Sequence, residues 1–133
     1  MAPATAARIE KRTIRLEANK LHVEEVSFEF GQDECVFTAL DNKGARHTIR
    51  CGRTDWIAGT SALGYRRELS TEMPVAAHGG WVNEHTFVMT WQYIETPFSH
   101  VLTFDFGSDE VDVSIKIVPF WQDNDEHIKG RLV

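Results

Sequence analysis

The serines of this chain lack the neighbours that would make one of them a nucleophile. Catalytic serines are activated by a base held close by, as in Ser-x-x-Lys, where a lysine one helical turn away takes the hydroxyl proton. No serine here has a lysine three residues later, and Gly-x-Ser-x-Gly is also absent. The tripeptide His78-Gly79-Gly80 is interpreted as a strand whose glycines let Trp81 and Met89 pack closely. We therefore expect no catalytic residue in this chain.

One glutamate and one histidine are predicted to face each other across a hairpin. If Thr96-Pro97-Phe98-Ser99 is the turn, Glu95 lies opposite His100. The pair is either an acid–base pair or ligand anchor in a barrel mouth, or a cross-strand charge pair that stabilises the turn, and the second interpretation is favoured. His47, predicted beside Ala39, is interpreted as a satisfied histidine at the rim. The remaining histidines show no spacing typical of a metal shell, so we expect neither a metal nor another cofactor.

Large aromatic side chains are predicted to share one face of the sheet. They either fill the interior of a barrel or line a cavity for a small ligand, and filling is the favoured interpretation. If there is a cavity, its interior and mouth would be formed by Trp81, Trp91, Tyr93, Phe104, Glu95 and His100.

The two cysteines are predicted to lie opposite each other on adjacent strands. Cys35 and Cys51 either form a cross-strand disulfide or remain two reduced thiols that pack as small apolar groups. The reduced form is favoured, and two cysteines are too few for a disulfide scaffold or a zinc site.

Alternation of apolar and polar residues with a period of two is the dominant pattern from residue 9 onwards, and it predicts antiparallel strands with one wet face. Five hairpins, with loops at 31–34, 42–44, around 83–84, at 96–99 and at 107–110, bring one apolar face to the same side. We expect an antiparallel meander of about eight strands that forms a lipocalin-like β-barrel. In this alignment Phe28 faces Phe37, Phe37 faces Ile49, Ala77 faces Trp91, Trp91 faces Phe104, and Phe104 faces Val113.

The domain is expected to span residues 9–121, with a tail or linker at 1–8 and a solvated C-terminal tail at 122–133. Residues 53–73 are predicted to hold one strand and one irregular excursion. Trp56, in this region, is expected to be partly exposed, where it would suit an interface.

Composition indicates an ordinary soluble globular domain. The 133 residues are 42% hydrophobic and 26% charged, with a formal charge of -6. This charge makes nucleic acid and anionic membranes poor partners. No stretch is apolar enough for a membrane span and no signal peptide is visible, so the cytoplasm is the default expectation.

A set of short segments resembles the C-terminal β domain found in some serine hydrolases of the class C β-lactamase and penicillin-binding-protein superfamily. The likeness covers most of the chain from residue 8 to residue 118 and is a pattern of packing and turns. The matching segments are Arg-Leu-Glu-x-Asn at 15–19, Ser-x-x-Phe at 27–30, Pro-Val-Ala at 74–76, Gly-x-Trp at 79–81, Thr-Phe-Val at 86–88, Thr-Pro-Phe at 96–98 and Leu-Thr-Phe-x-Phe-Gly at 102–107.

The resemblance implies a lipocalin-like barrel that follows a catalytic domain and covers it, shapes access to it or supports oligomerisation. This chain has no such catalytic domain and carries none of its catalytic motifs, so it is either a C-terminal portion or a stand-alone relative. The expected function is a non-catalytic accessory domain that packs on a serine-hydrolase domain or on its own copy. The alternative is a stand-alone lipocalin-like barrel that binds a small apolar ligand.

Overall fold

The computed structural model describes residues 4–19, 22–53, 55–61, 73–94, 99–107, 109–118 and 126–133. Within these residues one short helix precedes ten strands. The elements are α1 (Ala4–Ile9), β1 (Ile14–Leu16), β2 (Val23–Phe30), β3 (Glu34–Asp41), β4 (Arg46–Gly52), β5 (Ile57–Ser61), β6 (Met73–Trp81), β7 (Thr86–Tyr93), β8 (Ser99–Phe106), β9 (Glu110–Val118) and β10 (Glu126–Leu132).

Nine of these strands form a closed barrel, and β5 lies outside it. Neighbouring strands are antiparallel except at one seam, where β4 and β6 pair in parallel at Gly52 and His78. The parallel pair follows from the strand count. Each consecutive strand reverses direction, so when β5 leaves the barrel the strands on either side of it point the same way. The prediction of an all-β barrel is confirmed. The predicted purely antiparallel meander of about eight strands is corrected in two respects, because the barrel has nine strands and β4 and β6 pair in parallel.

Strand alternation places the core inside the barrel. In β3, β7 and β8 every second residue is buried and the residues between are half-buried. Four of the five hairpin alignments are confirmed residue by residue: Phe28 pairs with Phe37, Cys35 with Cys51, Ala77 with Trp91 and Phe104 with Val113. Gly44 has the positive φ of 85° expected for the bulged turn between β3 and β4.

The alignment of β7 with β8 is wrong by four residues. Trp91 pairs with His100 and Met89 with Leu102, and the last pair before the loop is Gln92 with Ser99. The predicted contact of Trp91 with Phe104 is therefore replaced by one of Phe87 with Phe104. The slip is even, so the same side chains still face the core.

Both predicted tails contain ordered structure. Residues 4–9 form α1, in which Ala6 and Ile9 are buried. Residues 126–132, expected in a solvated tail, form β10, which pairs with β1 on one side and β9 on the other. These tail assignments were wrong because a short helix and one strand gain stability from contacts that are distant in sequence.

Within residues 53–73, the one strand that was expected corresponds to β5. The expected irregular excursion falls on residues 62–72, which lie outside the described part of the chain.

Helix α1 lies at one end of the barrel, called here the helix end. Thr5 Oγ1 donates to the carbonyl of Glu84 at 2.7 Å, and Arg8 Nη2 donates to that of Gly107 at 2.8 Å. The amide of Lys11 donates to the carbonyl of Phe28 at 2.7 Å. Two of these contacts come from α1 and the third from the turn that follows it, and they reach three different parts of the barrel, so α1 and this turn together lie across this end. The opposite end, where β3 and β7 end and β4 and β8 begin, is called the polar end.

Candidate functional site

The middle of the barrel is filled by phenylalanine rings. The Phe28 ring centroid lies 5.3 Å from that of Phe37, 5.5 Å from that of Phe87 and 5.1 Å from that of Phe104. All four side chains are buried. The last two contacts are edge-to-face, which is a favourable arrangement for aromatic rings. Core filling, the favoured interpretation of the aromatic face, agrees with this arrangement.

The residues expected to line a single cavity lie at three different levels of the barrel. Trp81 is near the helix end, where its ring contacts Phe30, Phe87 and Phe106. The cavity beside it has a volume of about 20 Å³, which is room for about one water molecule. Phe104 belongs to the filled middle. Trp91, Tyr93 and His100 lie together toward the polar end, and Glu95 lies outside the described residues.

Trp91, Tyr93 and His100 form a cluster of three rings. The imidazole of His100 stacks on Trp91 with ring centroids 5.9 Å apart and meets Tyr93 edge-on at 5.4 Å. His100 is 1% exposed, and burial lowers the pKa of its imidazole to about 4. The imidazole is therefore neutral at pH 7. Its cross-strand partner is Trp91, so the predicted alignment with Glu95 is wrong for the same reason as the β7–β8 register.

The indole nitrogen of Trp91 carries a buried hydrogen-bond donor. Trp91 is 0% exposed, and its Nε1 atom has no hydrogen-bond partner in the part of the chain that the structure describes. Its cross-strand neighbours are Ala77 and His100, and its ring packs on Phe37. Most buried donors in folded proteins have an acceptor, so this one marks a position of interest.

Asp41 and His47 form a second polar group at the polar end. His47 Nε2 lies 2.9 Å from Asp41 Oδ2, and Asp41 Oδ1 accepts hydrogen bonds from the amides of Lys43 and Ala45. Burial alone would raise the pKa of Asp41, but the bonds from His47 and from the two amides outweigh it and lower that pKa to about 2. The interpretation of His47 as a satisfied rim histidine is confirmed. Asp41 was not predicted, although aspartate in the first position of a turn is a recognised signal.

The cysteines lie opposite each other as predicted, and both are free thiols. Burial raises the pKa of the Cys51 thiol to about 12. The pKa of Cys35 is also raised, first by burial and then by Cys51 and nearby carboxylates. Thiols that stay protonated are poor nucleophiles, so these two residues act as apolar groups of the core.

Outside the barrel, the exposed side chains of His85 and Asp105 are hydrogen-bonded, with His85 Nδ1 2.7 Å from Asp105 Oδ1. Among the described residues, no three His, Cys, Asp or Glu side chains are arranged to hold a metal ion. In the described part of the chain, no helix is long and apolar enough to cross a membrane; α1 has six residues.

Comparisons of the chain with models of protein families, with curated proteins and with solved structures gave no match. They provide no support for a relation to β-lactamases. What the structure shows is a small, mixed β-barrel domain of nine strands with one strand outside.

Proposed function

We propose that this chain is a non-catalytic accessory domain that packs on a serine-hydrolase domain of the β-lactamase family or on its own copy. The observation that carries the proposal is the filled interior. Phe28, Phe37, Phe87 and Phe104 occupy the space that a ligand-binding barrel keeps open. A barrel filled in this way interacts through its outer surface.

The same observation weighs against a small apolar ligand in the middle of the barrel. Such a ligand would have to displace Phe28 from its contacts with five other phenylalanine rings. Densely packed interiors do not yield that volume without a large loss of stability. The proposal therefore favours the accessory domain over the lipocalin-like binder.

The outer strand β5 and the adjacent Trp56 form the best candidate contact surface. Trp56 is 50% exposed, and Ala58, Gly59 and Thr60 are exposed along β5. The Trp56 ring meets the His78 ring edge-on, with centroids 4.3 Å apart. A large aromatic side chain that is held in place yet accessible loses little conformational entropy on binding, which is typical of interface anchors.

The test is association of the whole chain with a catalytic domain of a penicillin-recognising serine hydrolase and with itself. Sedimentation velocity over a range of concentrations measures self-association, and biolayer interferometry measures binding to the catalytic domain. We expect either self-association or binding to the catalytic domain. We expect Trp56→Ser to weaken that association at least about tenfold, in line with the loss of a hot-spot aromatic residue.

The matched control is Ile94→Ser, because Ile94 is 56% exposed and follows β7 at the polar end. It should leave the association unchanged. A chain that stays monomeric at all concentrations and binds no catalytic domain would remove the proposal. If both variants lose the same amount of binding affinity, Trp56 is not the anchor of the interface.

A further inference from the structure

One side of the barrel is almost free of charged residues. Strands β5, β6, β7 and β8 are neighbours in the sheet, and Asp105 is the single Asp, Glu, Lys or Arg that they contain. Each of the other six strands contains at least one such residue, and β2, β9 and β10 contain three each. The outward face of β6, β7 and β8 is called here the uncharged wall.

Small and β-branched side chains cover this wall. Alternation turns every second residue of each strand outward, and these residues are half-buried. At the centre of the wall they are His78, Gly80, Val88, Thr90, Val101 and Thr103. A Cβ atom added at Gly80 would meet nothing within 4 Å in the described part of the chain, so the wall is open at this point.

The charge of the chain limits which surface can meet a second copy. Each chain has a formal charge of -6, so two copies repel each other. A contact through β2 or β9 would bury exposed ions such as Glu29 and Asp112, which costs free energy unless each finds a partner. In a two-fold contact through the uncharged wall, threonine and valine side chains meet the same residue types, and only Asp105, near the end of β8, is charged.

The uncharged wall adjoins the contact surface proposed above. Strand β5 pairs with β6, and the Trp56 ring lies against the His78 ring of the wall. From the usual strand spacing and rise per residue, β5 to β8 offer at most about 600 Å² per copy. A standard interface buries about 800 Å² per partner, so the association should be weak.

We propose that the chain forms a two-fold symmetric dimer through the uncharged wall, with β5 and Trp56 at the edge of the contact. The dimer rests on the accessory function proposed above and specifies it, since it names a second copy as the partner and the wall as the contact. A catalytic domain in place of the second copy is one outcome of the test.

The test is sedimentation velocity of the whole chain, from micromolar to near-millimolar concentration, with charges placed on two different walls. Thr90 lies near the middle of β7, the central strand of the uncharged wall. Both Thr90→Glu and Thr90→Lys would bury like charges close to the two-fold axis. We expect each to raise the dissociation constant of the dimer at least about tenfold.

The matched control is Thr48→Glu. Thr48 is exposed on β4 between the exposed Arg46 and Arg50, outside the uncharged wall. The control changes the net charge by the same amount as Thr90→Glu and should leave the dissociation constant unchanged. If the Thr90 variants do not fold, Gly80→Glu takes their place, because there is room for a side chain at Gly80.

Salt provides a second measurement on the unaltered chain. A contact between uncharged walls leaves the net charges of the two copies to repel each other, so screening them should strengthen the dimer. A contact made by ion pairs would weaken instead. We therefore expect the dissociation constant to fall when sodium chloride is raised from about 0.05 M to about 0.5 M.

The outcomes separate the dimer from the accessory function. A dimer weakened by both Thr90 variants and not by Thr48→Glu supports the proposal. A dimer that ignores the Thr90 variants, is weakened equally by the control, or is weakened by salt overturns the wall as its contact and leaves the accessory function standing. A monomer that binds the catalytic domain overturns the dimer alone, and a monomer that binds neither overturns both.

Discussion

His100 shows how strongly its position in the barrel changes the chemistry of a single side chain. On the surface an imidazole exchanges protons near pH 6.5. At the polar end, between Trp91 and Tyr93, burial lowers the pKa of His100 to about 4. The side chain is therefore a neutral member of an aromatic cluster at pH 7, and it contributes to stability rather than to proton transfer.

This pKa predicts a pH dependence of stability. Between about pH 6.5 and pH 4 the unfolded chain binds a proton at His100 that the folded chain does not, so the free energy of unfolding should fall as the pH is lowered. The loss from this residue is roughly 3 kcal/mol at its limit. Urea unfolding at several pH values measures it, and His100→Phe should remove that part of the slope. An unchanged slope in the variant would show that His100 is protonated in the fold.

The candidate site could be predicted from the sequence only in part. Alternation placed Trp91, Tyr93 and His100 on the inner face, and the structure agrees. It could not show that Trp81 and Phe104 lie at other levels, because parity along a strand defines a face and not a height. The unbonded indole of Trp91 was also beyond prediction, since it depends on what surrounds the ring in three dimensions.

At the scale of elements, hairpins with short and well-defined turns gave the correct register. Gly44 at a positive φ fixes the β3–β4 turn, and the register follows residue by residue. Between β7 and β8 the proposed Thr-Pro-Phe-Ser turn misplaced the pairing by four residues. Both strands carry apolar residues at every second position, so sliding by an even number keeps each face apolar, and the pattern alone cannot reject it.

Helix α1 is an element that the sequence pattern did not indicate, and its contribution can be measured. Six residues are too few for a helical period to be visible, and such a helix depends on tertiary contacts. Ile9 is 0% exposed and belongs to the core. We expect Ile9→Ala to lower the free energy of unfolding by about 2–5 kcal/mol. Chemical denaturation followed by circular dichroism provides the measurement.

The matched control for α1 is Ala7→Ser. Ala7 is exposed in the same helix, so its replacement should change stability by no more than about 0.5 kcal/mol. If Ile9→Ala proves as stable as the control, α1 does not contribute to the core, and its placement across the helix end is wrong.

For the whole molecule, closure of the barrel depends on one narrow seam. Eight of the nine neighbouring pairs are antiparallel ladders between strands, whereas β4 and β6 share a single bridge at Gly52 and His78. The sequence could indicate where the strands are but not which one leaves the barrel. That choice depends on β5, which is short and pairs with β6 from the outside.

Gly52 is the residue on which this seam depends. A Cβ atom at this position would lie 1.7 Å from the carbonyl oxygen of Asp55, so the backbone after β4 would have to move. We expect Gly52→Ala to lower the free energy of unfolding by about 1–3 kcal/mol, the usual cost of forcing an atom into packed structure. Hydrogen exchange should also become faster in β6 around His78, where the bridge is lost.

Gly59→Ala is the matched comparison, because Gly59 lies on the outer strand and a Cβ atom there meets nothing within 4 Å. Its effect on stability should stay within about 0.5 kcal/mol. If hydrogen exchange around His78 is as slow in both variants as in the original chain, the barrel stays closed without the Gly52 bridge. Faster exchange around His78 in Gly52→Ala alone would locate the closure at this seam, because the eight antiparallel ladders are unchanged in both variants.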